Sequence, residues 1–124
     1  MITVSGLILD LDKAQILKEA RALAKILEIK KSVEIYITVS LYGIDNGICS
    51  QLGPNRYQIW LNKALGSGYK RRVLAHEFFH ISQFCEKRLE IRNNLLYFEG
   101  ICMTSVPYLR RPYEIEAFSF AKTF

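Results

Sequence analysis

Both histidines of the chain, His76 and His80, stand four residues apart in RRVLAHEFFHISQF, residues 71–84, with Glu77 between them. On an α-helix a separation of four is about 40° round the axis and about 6 Å along it. The two imidazoles therefore project from one face and can reach a single divalent ion at about 2 Å. Glu77 is turned about 100° from His76. It is free to touch a water in the ion's open position instead of ligating. A divalent ion acidifies such a water, and a carboxylate beside it can take the proton and later pass it to a leaving amine. The order His-Glu-x-x-His thus assigns two ligands and a general base. The competing account is a pair of packed core histidines. It leaves Glu77 as an unpaired carboxylate in an apolar helix, which is strongly unfavourable. A metal accounts for all three polar groups together.

Two imidazoles do not complete a catalytic zinc site, which usually has three protein ligands and a water. The chain has no third histidine. Its cysteines, Cys49, Cys85 and Cys102, are too widely spaced to suggest a cysteine site. The third ligand is therefore expected to be a carboxylate from RRPYEIEAFSFAK, residues 110–122. Glu114 shares a helical face with Ala117, Phe118 and Ala121, and small residues there permit close approach to the motif helix. Glu116 aligns with Phe120. Glu114 is the preferred ligand and Glu116 the alternative, an acid that the helix dipole alone explains.

Several elements must hold these residues. DKAQILKEARALAKILEI, residues 12–29, has helical apolar spacing, with Asp10 or Asp12 available as a cap. VEIYITVSL, residues 33–41, reads as a strand. YGIDNG, residues 42–47, is a turn. Ile48–Leu52 and Arg56–Leu61 read as two strands joined by Gly53-Pro54-Asn55. Tyr69 to about Lys87 is a helix apolar nearly all round, hence central and buried. Residues 88–111 look irregular apart from a hairpin around Glu99-Gly100. Pro112 opens a last helix to about Thr123.

The 124 residues, half of them hydrophobic, fit a single domain spanning 1–124. The net charge of +5 comes from short clusters such as Lys70-Arg71-Arg72 and Arg110-Arg111. No basic stripe repeats along one element, so a solvated surface explains most of them. An odd number of cysteines argues against a disulfide framework and for reduced, mostly buried thiols in the cytoplasm. No apolar run is long enough to span a membrane, and the N-terminus lacks the features of a signal peptide.

HEFFH followed by EIEAFSFA, Glu114 to Ala121, resembles the small gluzincin-type zinc metallopeptidases, among them the ImmA/IrrE group and the compact minigluzincins. The resemblance covers about residues 71–121. It implies a compact zincin-like α+β domain: a backing helix, a small mixed β-sheet, the HExxH helix and a C-terminal glutamate helix around one Zn²⁺. It implies His76, His80 and Glu114 as metal ligands and Glu77 as the catalytic base. It also implies an edge strand that holds an extended peptide, and RYQIWL, residues 56–61, is the expected edge. The chain departs from the family at Phe118, where a polar residue often supports a ligand; Gln83 is the available substitute. No histidine remains to stabilise an oxyanion, which leaves Tyr108, Tyr97, Tyr113, Arg110 or Arg111. The expected function is zinc-dependent peptide hydrolysis, with a DNA-bound regulatory protein as one conceivable substrate. The alternative is a weak or inactive zincin-like module that binds a protein or nucleic acid.

Overall fold

Alternation of apolar and polar residues builds the main sheet. Strand β2 (Glu34–Ser40) buries Ile35, Ile37 and Val39, and β4 (Arg56–Asn62) buries Tyr57, Ile59 and Leu61. The computed structural model describes residues 1–41 and 45–124. The first half of the expected YGIDNG turn, residues 42–44, lies outside the described residues. Strands β1 (Ile2–Gly6) and β3 (Gly47–Gly53) complete a four-stranded sheet of order β1-β2-β4-β3. The β1–β2 and β2–β4 pairs are parallel, and β3–β4 is an antiparallel hairpin. The sheet is therefore mixed, as the resemblance implied.

RYQIWL is not the edge. It lies inside β4, hydrogen-bonded on both sides, and β3 forms the edge instead. A strand with three fully buried side chains belongs inside the sheet, whereas β3 alternates weakly and has no fully buried residue. Strand β1 was not expected from the sequence. It has one fully buried side chain, Val4, and its place is set by parallel pairing with β2.

Helix α1 (Asp10–Ile26) buries Ile16, Ala20 and Leu23 in the core. Its start is not capped by Asp10 or Asp12: Leu9 is the cap residue and no side chain bonds the first turn. The two acids lie in the first turn, where they complement the dipole. Helix α2 (Ser67–Cys85) buries a nearly continuous run from Leu74 to Phe84. Residues 88–111 are more regular than expected. Strands β5 (Leu89–Arg92), β6 (Leu95–Phe98) and β7 (Ile101–Cys102) form a small antiparallel sheet. Asn93 and Asn94 make the extra turn by adopting positive φ, a conformation that asparagine tolerates. A single 3₁₀ turn, Tyr108–Arg110, leads into α3 (Pro112–Ala121), which opens on a proline as expected.

The whole is a compact α+β arrangement of three α-helices, a mixed sheet and a small antiparallel sheet among the described residues. No helix is long and apolar enough to cross a membrane. The cysteines are less buried than expected: Cys85 is exposed, and Cys49 and Cys102 are half-buried. All three are free thiols. Cys85 is the last residue of α2, where the helix leaves the core.

Candidate metal centre

The helix period places His76, Glu77 and His80 where α2 faces both β3 and α3. All three are buried, and one ligand atom from each lies within 4.8 Å of the others. Such a group can hold a metal ion. Glu114, in the first turn of α3, is buried beside it. Its Oε1 lies 2.9 Å from His76 Nε2 and 2.8 Å from His80 Nε2, and the two Nε2 atoms are 3.1 Å apart. Three potential donor atoms therefore point at one small space. Buried Ala117 and Ala121 on the same face of α3 let the two helices approach this closely. Glu116 turns away from the imidazoles.

The protonation pattern follows from the neighbours of His80. Gln83 Nε2 donates to the Tyr113 carbonyl at 3.0 Å and to Glu116 Oε1 at 3.1 Å, both acceptors. Its Oε1 is then the atom facing His80 Nδ1 at 2.9 Å, so Nδ1–H donates. In neutral His80 this leaves Nε2 as a lone pair aimed at a carboxylate oxygen. Two acceptors 2.8 Å apart need something positive between them, either a proton or a metal. Ligand atoms about 2.0–2.1 Å from one ion at tetrahedral angles stand about 3.3 Å from each other. The three atoms need only small outward shifts to fit that spacing. The donor set, two nitrogens and a carboxylate oxygen, suits zinc and other divalent ions.

Charge in this pocket is strongly perturbed. Burial opposes ionisation of Glu114, but hydrogen bonds and charge from His76 and His80 win and hold its pKa at about 2. Burial also opposes protonation of His80, yet Glu114, Glu77 and Gln83 together raise its pKa. Glu77 moves the other way from Glu114. Burial raises its carboxyl pKa, Glu114 and Asp45 add to that, and the two imidazoles only partly compensate. Glu77 is 7% exposed and lines the open space on both sides of the centre.

The supports of the site come from several elements. Phe118 does not leave a gap: its ring packs on His76 with centroids 4.4 Å apart. Gln83 occupies the supporting role next to His80. Glu116 is more than an acid that complements the dipole, because it holds Gln83 and is held by Arg88 at 2.5 Å. Arg88 also binds Glu99 at 2.8 Å, which ties the β6–β7 turn to α3. Gly47 is a further site residue, read from the sequence only as part of a turn. A Cβ there would stand 2.6 Å from Val73 Cγ1 and 3.4 Å from Glu77 Cγ. A glycine is needed for the start of β3 to press on α2 beside the catalytic candidate. Nothing local in YGIDNG distinguishes this from an ordinary turn glycine.

The tyrosines separate clearly. Tyr113 packs its ring 5.7 Å from that of His80, and its hydroxyl accepts from Arg111 at 2.9 Å. Tyr97 sits under the Arg92 guanidinium, 4.9 Å from its ring. Arg111 is spent on Tyr113 and the Val106 carbonyl. Tyr108 alone of these lines the open space over Glu77 on both sides of the centre. Partial burial, then the charge and hydrogen bond of Glu114, raise its hydroxyl pKa.

Comparison with protein-family models, curated proteins and solved structures gives no match for this chain.

Proposed function

We propose that this chain is a zinc-dependent metallopeptidase. The observation that carries the reading is the convergence of His76 Nε2, His80 Nε2 and Glu114 Oε1 beside a buried Glu77 that lines the cleft. His76, His80 and Glu114 are the residues that would hold the ion. When bound there, zinc supplies Lewis acidity to a water and to the scissile carbonyl.

The remaining steps belong to the protein. Glu77, with its carboxyl pKa raised by burial, is suited to take a proton from the water and return it to the leaving amine. Tyr108, over the same space, donates its hydroxyl to the carbonyl oxygen as negative charge grows there. Gln83 keeps His80 in the tautomer whose Nε2 faces the ion. The free edge of β3 borders the cleft and offers main-chain groups to an extended peptide. Three free thiols suit a reducing compartment such as the cytoplasm.

The test is Glu77→Gln, assayed on a mixed peptide pool with zinc added. Hydrolysis should fall by about 100-fold or more, in line with loss of a general base. Zinc content should stay at that of the parent, since Glu77 is not among the assigned ligands. A variant that cleaves as fast as the parent removes Glu77 from the mechanism. A parent that cleaves nothing turns the reading towards a zincin-like binding module.

A further inference from the structure

The centre lies where two clefts meet. One, of about 490 Å³, runs on the His80 side between the β3 edge and the β5–β6 hairpin. The other, of about 600 Å³, runs on the His76 side between α2 and α3. Asp45, Gly47, Glu77 and Tyr108 line both, so the two form one groove across the site.

The two arms differ chemically. The hairpin arm is walled by Phe84, Leu89, Ile91, Leu95 and Leu96, and no lysine or arginine lines it. Ile91 and Leu95 are 50% and 39% exposed, so apolar surface there is available to be covered. The α2–α3 arm holds two cations, Arg72 and Lys122. Arg72 uses its Nε on the Phe124 main-chain oxygen at 3.1 Å, and its guanidinium has further N–H groups to offer. Lys122 forms no ion pair with a described carboxylate. Asp45 and Glu77, at the junction, repel an anion placed over the centre itself. A carboxylate entering this groove is thus pushed from the junction and drawn to the Arg72–Lys122 end.

Building on the peptidase reading, we propose that the substrate is an extended peptide with two recognition features on opposite sides of the cleaved bond. A bulky apolar side chain lies against the β5–β6 hairpin. An aspartate or glutamate side chain lies between Arg72 and Lys122. The β3 edge binds the backbone between them, leaving the choice of substrate to the two ends.

The experiment uses the zinc-loaded Glu77→Gln protein and fluorescent peptides that pair leucine or serine with glutamate or glutamine at the two positions. Fluorescence anisotropy reads affinity. The leucine–glutamate peptide should bind tightest, and glutamate to glutamine should weaken binding about 2- to 5-fold, the scale of partly exposed ion pairs. Arg72→Gln combined with Lys122→Gln should erase that difference and keep the leucine preference. Unchanged zinc content certifies that the double variant is folded. Equal affinity for glutamate and glutamine peptides overturns the proposal, as does a glutamate preference that survives both substitutions, or no binding by any peptide. The unsubstituted protein is given the same peptides in parallel. Selective binding without cleavage sinks the peptidase reading and spares this one; cleavage without selectivity does the reverse.

Discussion

Two clusters of charge sit two residues apart along α3 and are built on opposite terms. Around Glu116 the cation is the protein's own: Arg88 binds Glu116 and Glu99, and all three side chains are about a third exposed or more. Around Glu114 the side chains are 8–10% exposed, and among the described residues its only ion-pair partners are the two histidines. The first cluster is complete in itself. The second presents nitrogens and oxygens to one another and needs a cation or a proton from outside. The difference teaches that an acid's task is set by its burial and by what the facing element offers. Gln83 joins the two clusters, since it bonds His80 on one side and Glu116 on the other.

Removing a ligand should break the comparison most sharply. His80→Ala or Glu114→Ala should lower zinc from near-stoichiometric to background, read by elemental analysis after dialysis. Full zinc in either variant would show that the buried cluster is as self-sufficient as the exposed one. Next in size is the link between them. Glu116→Ala or Gln83→Ala should weaken zinc binding by about 10- to 100-fold, the usual effect of freeing a ligand's support. A competition titration with a chromophoric chelator measures this, and unchanged affinity would separate the clusters entirely.

A smaller effect tests packing instead of charge. Gly47→Ala should cost about 1–2 kcal/mol of stability, because the new Cβ meets Val73 Cγ1 at 2.6 Å and one of them must shift. Urea unfolding reads this, and an unmoved midpoint would mean that β3 does not press on α2. The smallest effect belongs to the exposed pair. Glu99→Gln should change stability by no more than about 1 kcal/mol, as expected of a solvated ion pair. Its zinc affinity should equal the parent's, because Arg88 keeps Glu116.

What was legible in the sequence was whatever depends on local period. The 3.6-residue repeat put His76, Glu77 and His80 on neighbouring faces of one helix, and put Glu114 with Ala117 and Ala121. Alternation marked β2 and β4, and turn residues marked the β3–β4 and β6–β7 hairpins. Weak or absent patterns hid the rest. Strand β1 has one fully buried side chain, and β5 has one, Leu89. Both exist because a neighbouring strand pairs with them.

By itself, then, the order of residues determined which side chains share a helical face, since backbone geometry is the same wherever a helix is placed. It also set the supply of ligands: two histidines, no third, and a pair of acids near the end. Only the tertiary structure decided that β3 and not β4 is the open edge, and that Tyr108, and not Tyr97 or Tyr113, lines both clefts beside Glu77. It alone decided that Arg88 and Gln83 hold Glu116, and that Gly47 must lack a side chain. Each of these is a contact between segments distant in the chain, where distance in space is fixed by packing and leaves no periodic trace in the sequence.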